Sequence, residues 1–231
     1  MYSMFYDPTY ILVIIGAVLT MIVQAYLSST FSKYQSVAAK SGLTASEACK
    51  IILESNGIYN VKIGHVAGNL TDHYAPKAKE LNLSDATCNS RSIAAIGVAA
   101  HEAGHAIQDA KNMPLLSFQM SVVPVVSFAS KLSVPILIVG IVLGAAGLID
   151  IGIILFSVTL IYQLITLPIE FNASHNAIVT LRANHLMDEA ELYGVKKVLT
   201  AAALTYVAAA ANTILQLLRF VLIARNSRRS N

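Results

Sequence analysis

The chain has 231 residues, of which 55% are hydrophobic and 13% are charged. Soluble domains usually carry about 25% charged residues, so this composition predicts an integral membrane protein. The net charge of +3 is too small to indicate nucleic-acid binding, and the chain has neither a Gly-rich phosphate loop nor a basic stripe interleaved with aromatic residues. Cys49 and Cys88 lack the CxxC spacing of a zinc knuckle, and we interpret them as buried free thiols rather than a disulfide.

The first candidate membrane span is residues 9–28 (TYILVIIGAVLTMIVQAYLS). It contains no Asp, Glu, Lys, Arg or His and is long enough to cross a bilayer as a helix. The residues before it (MYSMFYDP) include no Lys or Arg, and no short cleavage motif follows, which argues against a signal peptide. We therefore expect a retained transmembrane anchor.

A polar stretch, residues 30–113, follows this span and holds most of the charge. It begins with a predicted helical segment (SSTFSKYQSVAAKSG). A second helix is predicted in LTASEACKIILESNG, where Thr44 and Glu47 form a capping-box pattern and an Asn-Gly pair gives a stop. Residues 58–90 are rich in Gly, Asn, Asp and Pro and are expected to form loops with a short strand or two. A long, alanine-rich helix is predicted over residues 91–111.

A second hydrophobic block, residues 132–168, is too long for one crossing and suits two. The sequence GAAG interrupts it, so we expect a helical hairpin of residues 133–148 and 151–167 that is closed by Pro168.

Two other apolar segments flank this hairpin. The segment LLSFQMSVVPVVSFAS (115–130) contains Pro124, so it is expected to be broken and to lie at the interface or dip inward. Residues 200–223 form the fourth candidate span, and Arg219 lies near its end, where the side chain can reach the interface.

The motif that carries chemistry is His101-Glu102-Ala103-Gly104-His105, an HExxH pattern. On a helix, His101 and His105 lie on one face, so both imidazoles can bind one metal ion. Glu102 lies beside the first ligand, where it can take a proton from water activated by the metal. Because the surrounding helix is apolar, uncompensated His and Glu side chains would be costly to bury. The pattern therefore favours a zinc site with Glu102 as general base over a helix that merely has a polar face.

The third zinc ligand must come from elsewhere in the chain, since a catalytic zinc has three protein ligands and one open position. Glu170 is the best candidate, because it closely follows a predicted transmembrane span, where a carboxylate requires a partner such as a metal ion. The alternative for Glu170 is an acid at the membrane interface. The other candidates for the third ligand are His175, His185, Asp188 and Glu189.

Four blocks of the sequence resemble the signature blocks of the YugP-type membrane zinc metallopeptidases. They are GNLTDHYAPKAKELNLSD (68–85), SIAAIGVAAHEAGHAIQ (92–108), TLPIEFNAS (166–174) and VLTAAALTYVAAA (198–210). The resemblance covers nearly the whole chain and implies a membrane-embedded, gluzincin-like peptidase, distantly similar to HtpX-like proteases. In those proteases the third ligand is the Glu of an ExxxD-type motif, and Glu170 matches that position. Ser174 stands where the HtpX-like motif has Asp, and Asn172 stands where YugP-type proteins have Asp in EFDAS, so no carboxylate that orients a zinc-bound histidine is assigned there.

The first of these blocks, usually DHYDP, holds further candidates, although this chain has Ala75 in place of the second Asp. The resemblance implies that Asp72, His73 or Tyr74 contacts a zinc ligand or stabilises the oxyanion. The alternative for Asp72 is a turn cap. Ser174 is a further candidate for a contact to a zinc ligand.

These features predict a zinc-dependent membrane endopeptidase with one zinc ion per chain and peptide or protein substrates. The HtpX-like resemblance implies membrane or misfolded proteins as substrates. An inactive metal-binding scaffold is the main alternative, and the intact Glu102 argues against it. A di-iron oxidase would need further HxxH or ExxH sets, and a transporter would place ionisable residues within its spans, which hold few besides Arg219.

The fold class predicted is mainly α: a multi-pass helical membrane protein with about four transmembrane helices, forming a single domain over residues 1–231. Its two polar stretches, residues 30–113 and 168–199, are expected to carry the zinc site on one membrane face. The basic residues near the spans on that face are Lys33, Lys40, Lys131, Arg182, Lys196 and Lys197, and those on the opposite face are Arg225, Arg228 and Arg229. Asp7 before the first span and Lys33 after it favour an outside N-terminus, which predicts a zinc site on the cytoplasmic face of the cell membrane.

Overall fold

A computed structural model describes residues 8–230, with side chains described for residues 8–226. Asp7 and the side chains of Arg228 and Arg229, used above to predict orientation, lie outside this description. The described chain contains, in order, α1 (Tyr10–Gln35), α2 (Ala45–Ser55), β1 (Lys62–Val66), β2 (His73–Ala75), β3 (Glu80–Ser84), α3 (Ile93–Ala110), α4 (Pro114–Leu143), α5 (Ala146–Ala183) and α6 (Glu189–Ser230). Four of its helices, α1, α4, α5 and α6, are long and apolar enough to cross a membrane. The prediction of a mainly α, multi-pass helical protein is thus confirmed.

Helices α1 and α6 are longer than the apolar spans predicted at residues 9–28 and 200–223. The start of α6 is set by a reciprocal cap: the Glu191 carboxylate accepts the Asp188 N–H, and the Asp188 carboxylate accepts the Glu191 N–H, both at 2.9 Å. The start of α6 therefore follows the capping of backbone groups rather than the boundary of the hydrophobic run.

Proline residues lie inside two of the long helices and do not end them. Helix α5 continues past Pro168 to Ala183 instead of closing the hairpin there, and α4 contains Pro124 and Pro135. Residues 115–130, expected to be broken, are therefore part of one helix. A proline removes one helical hydrogen bond, but in apolar surroundings the neighbouring backbone groups have no water to bind, so the helix persists.

A helical hairpin forms, but its turn does not lie between residues 148 and 151 as predicted. It lies at Gly144 and Ala145, the start of the GAAG sequence, between α4 and α5. Gly144 has a φ of 64°, a backbone conformation that favours glycine. The Ala145 N–H donates to the Gly140 carbonyl at 2.9 Å, which closes the end of α4.

The chain forms two compact units. The apolar unit consists of Met1–Gln24, Phe118–Leu167 and Thr205–Asn231, and the site unit consists of Ala25–Ser117 and Pro168–Leu204. The sequence predicts a single domain, whereas the residues of the chain group into these two units. The site unit contains both polar stretches predicted at residues 30–113 and 168–199. In the described part of the apolar unit, large apolar side chains point outward, as a surface in lipid requires: Ile14, Met21, Ile154 and Ile161 are among them.

The core of the site unit surrounds α3. A sheet with strand order β1-β3-β2 pairs β1 parallel and β2 antiparallel to β3. Three strands thus form where the sequence predicts one or two. Leu81 and Leu83 of β3 are fully buried in the same cluster as Ile52 of α2 and Ile96 of α3. This packing holds the HExxH helix against the sheet, with the outer edge of β2 beside it.

Helix α3 is anchored at its N-cap, Ser92. The Ser92 Oγ accepts the Ala95 N–H at 3.1 Å and donates to the Gln35 Oε1 at 2.7 Å, so the N-cap is tied to the end of α1. The predicted capping box of Thr44 and Glu47 at the start of α2 is confirmed. The cysteines are free thiols, as predicted, with Cys49 buried and Cys88 half-buried.

Candidate metal centre

His101, His105 and Glu170 come together in the site unit, with ligand atoms that lie within 4.8 Å of one another. The Glu170 Oε2 lies 3.2 Å from the His101 Nε2 and 3.7 Å from the His105 Nε2. The two imidazole rings stand edge to face, with 4.8 Å between their centroids. Within residues 8–226, no second group of three such side chains is found. The two histidines predicted from HExxH and the third ligand predicted on α5 therefore face one point.

A glycine allows α3 and α5 to approach closely enough for this cluster to form. A Cβ at Gly104 would lie 2.5 Å from the backbone oxygen of Ala173 and 3.1 Å from its Cα. Any side chain at residue 104 would therefore meet the α5 backbone one turn after Glu170. Of the two residues that the motif leaves open between Glu102 and His105, the second is thus restricted by the contact with α5.

The ring nitrogens that turn away from Glu170 have neutral partners. The Ser174 Oγ lies 3.2 Å from the His101 Nδ1, and the Gln108 Oε1 lies 3.0 Å from the His105 Nδ1. Such contacts fix the orientation of a histidine that binds metal through its Nε2. Two imidazole nitrogens and a carboxylate oxygen are ligands that zinc accepts, and three protein ligands leave a position open for substrate or water. The donor set fits zinc.

The His105 imidazole responds to two opposing influences. Burial lowers its pKa, but the nearby carboxylates of Glu170 and Glu102 outweigh burial and raise the pKa to about 9. The site is thus built to hold positive charge at His105, and a metal cation would replace the proton on the Nε2.

Glu102 is almost buried, with 9% of its surface exposed, and its carboxylate is held by a main-chain group. The Tyr74 N–H donates to the Glu102 Oε2 at 2.9 Å. The Tyr74 hydroxyl donates to the Asp109 Oδ2 at 2.6 Å, and the Lys79 Nζ binds the same oxygen at 2.6 Å. Strand β2 is thereby fastened to α3 at two points two turns apart.

The DHY block predicted to contact the site divides into three different environments. Asp72 accepts hydrogen bonds from the Ser84 N–H, the Ser84 Oγ and the Thr87 Oγ1, which is the turn-cap alternative. His73 is exposed, and its Nδ1 lies 3.0 Å from the Thr71 carbonyl. Tyr74 reaches Glu102 through its main chain rather than through its side chain.

The other residues considered as ligands lie outside the cluster. Asp188 forms an ion pair with Lys40 at 2.6 Å, and Glu189 forms one with Arg182 at 2.7 Å. His185 lies in the turn after α5 with a φ of 53°, and His175 is exposed on α5. Asn172 accepts hydrogen bonds from Gln108 and Asn176 and contacts neither histidine in the bonds observed.

Gln108 and Asp109 are the site residues that the sequence analysis missed. A signal existed for each: Gln108 is three residues after His105 and Asp109 seven after Glu102, so each shares a helix face with its functional neighbour. The role of the Tyr74 main chain left no such signal.

A multi-pass helical protein in which the two histidines of an HExxH helix meet a glutamate from a later helix matches a known class. The chain matches the family described as "Putative neutral zinc metallopeptidase" over residues 9–225, and it belongs to that family. It is 46% identical over 208 residues to the Bacillus subtilis (strain 168) protein named "Putative membrane protease YugP", covering 90% of this chain and 92% of that protein. No solved structure matches the chain.

Proposed function

We propose that this protein is a zinc-dependent membrane endopeptidase that hydrolyses peptide bonds in protein substrates, including membrane proteins. The observation that carries the proposal is the convergence of the His101 Nε2, the His105 Nε2 and the Glu170 Oε2, with the Glu102 carboxylate next to it on the same helix. Membership of the zinc metallopeptidase family and four helices suited to a membrane support it.

His101, His105 and Glu170 hold one zinc ion per chain in this proposal. When bound, zinc polarises the scissile carbonyl and lowers the pKa of water from about 15.7 toward about 7. Glu102 accepts the proton of the attacking water and passes it to the nitrogen of the leaving amine. In this proposal the proton goes to the Glu102 Oε1, since the Oε2 already accepts the Tyr74 N–H.

The buried position of Glu102 suits this role. A carboxylate that accepts a main-chain N–H keeps one orientation, so it needs little rearrangement when the proton arrives. The Tyr74 hydroxyl donates to Asp109, which directs it away from an oxyanion role, whereas His73 stays a candidate for that role.

The test uses the full-length chain purified in detergent, with zinc content measured by elemental mass spectrometry and casein hydrolysis measured in parallel. Wild type is expected to hold about one zinc per chain, and His105→Ala and Glu170→Ala to lose it. Glu102→Gln is expected to keep its zinc and lose about 100- to 10,000-fold in turnover, the range that a general base contributes.

Glu54→Gln is the matched control, because Glu54 is an exposed acid that pairs with Lys50 on α2. It is expected to retain both zinc and turnover. Full activity in Glu102→Gln would refute the general-base assignment. If wild type bound zinc but neither it nor any variant hydrolysed casein, the inactive metal-binding scaffold would be favoured.

A further inference from the structure

Gln108 is a side-chain amide with no direct role in the proposed chemistry, yet it is 2% exposed and fully engaged in hydrogen bonds. Its Nε2 donates to the Ile169 carbonyl at 2.8 Å and to the Asn172 Oδ1 at 2.9 Å. Its Oε1 lies 3.0 Å from the His105 Nδ1. A buried amide is costly unless it is hydrogen-bonded, so an amide in this position is expected to help orient the groups that it binds.

The orientation of this amide follows from its partner on α5. The Ile169 carbonyl can only accept a hydrogen bond, so the atom that faces it must be the amide nitrogen of Gln108. The oxygen then faces His105, and an oxygen can only accept. The His105 Nδ1 must therefore carry a proton and donate it, which leaves the Nε2 as the nitrogen available to bind a metal.

The same amide also spans the two helices that supply the ligands. Gln108 lies on α3 one turn after His105, and Ile169 is the residue directly before Glu170 on α5. One side chain thus contacts a ligand on α3 and the backbone beside a ligand on α5. Ser174 makes the corresponding contact to His101, but through a single hydroxyl.

We infer that Gln108 is a positioning residue of the metal centre: it selects the Nδ1–H form of His105 and fixes the position of that imidazole relative to Glu170. The inference rests on the proposed zinc site and adds the residue that orders it. Partners of this kind typically change metal affinity by about 10- to 100-fold when they are removed.

The decisive variants are Gln108→Met and Gln108→Glu, tested in the full-length protein in detergent. Methionine matches the length of glutamine and removes every hydrogen bond. Glutamate keeps an acceptor for the His105 Nδ1 but loses the donor to Ile169 and Asn172. Asn184→Ala is the matched control, because the Asn184 amide ties the end of α5 to the Ser55 Oγ at 3.0 Å, away from the ligands.

Two readouts are needed: the Kd for zinc from competition with a chelator, and the visible absorption spectrum with Co²⁺ in place of zinc. We expect Gln108→Met to raise the Kd about 10- to 100-fold and to change the Co²⁺ spectrum. Gln108→Glu is expected to bind zinc more tightly than Gln108→Met but to melt below wild type, since two acceptors then face its carboxylate. Circular dichroism confirms that each variant is folded.

An unchanged Kd and an unchanged Co²⁺ spectrum in folded Gln108→Met would overturn the inference while leaving the proposed zinc site intact. An equal loss of affinity in Asn184→Ala would also overturn it, because the effect would then be general destabilisation. A wild-type protein that binds no zinc would refute the proposed function, and the positioning role with it.

Discussion

Gly104 shows how a single residue controls whether the ligands meet. The Ala173 backbone occupies the space that a side chain at residue 104 would need, and Glu170 lies one turn earlier on the same helix. We predict that Gly104→Ala forces α3 and α5 apart, costs about 1–3 kcal/mol of stability as overpacking does, and lowers zinc content. Thermal melting and elemental analysis of the purified protein measure the two effects.

Gly147→Ala is the control for this substitution. Gly147 lies in the first turn of α5, and a Cβ there would meet no heavy atom within 4 Å beyond its own stretch of helix. Alanine fills open space at this position and favours the helix, so zinc content is expected to stay at the wild-type value. A Gly104→Ala protein that binds zinc as tightly as wild type would show that the close approach is not needed for the site.

At this scale, the spacing of His101 and His105 was enough to predict two ligands, because helical geometry alone brings residues four apart to one face. Glu170 was predictable because a carboxylate beside an apolar run needs a partner. The contact that holds Glu102 was not predictable, since every residue except proline carries a backbone N–H and the Tyr74 amide is selected only by the path of β2.

At the scale of elements, β2 holds the Glu102 carboxylate in place, and Tyr74 makes both contacts to α3. Burial and the hydrogen bond to Asp109 raise the pKa of Tyr74, so its hydroxyl stays a donor across the neutral range. We predict that Tyr74→Phe keeps the zinc content of wild type but lowers turnover, because β2 loses its link to Asp109 and Glu102 loses its fixed orientation. The lost bond to a charged partner corresponds to about 1.5–3 kcal/mol of stability, measurable by thermal melting.

Tyr59→Phe tests the specificity of that effect, because Tyr59 is 79% exposed and precedes the sheet. Removing its hydroxyl is expected to change neither turnover nor melting temperature. If Tyr74→Phe and Tyr59→Phe behaved alike, the link between Tyr74 and Asp109 would have no part in holding Glu102.

The elements themselves were predictable in kind but not in length. Hydropathy predicts four spans because a segment in lipid must be apolar. Each span must be a helix, since its backbone groups find no other partners in lipid. The same prolines that predict breaks in water, Pro124 and Pro168, lie inside continuous helices. The sheet was harder to predict, since β2 has only three residues and gains its place by pairing with β3, a contact between segments that the local sequence does not encode.

For the whole molecule, the order of the four candidate spans determines which segments share a membrane face. Residues 36–113, between the first and second spans, and residues 184–188, between the third and fourth, fall on the same face. Lys33 and Arg182 lie in the last turns of α1 and α5, next to these segments, and basic residues there favour the cytoplasm. In a variant without Cys49 and Cys88, we predict that Tyr59→Cys is protected from a membrane-impermeant maleimide in intact cells and reacts after permeabilisation. Ala145→Cys, in the hairpin turn, is expected to react from outside, and the reverse pattern would place the zinc site on the outer face.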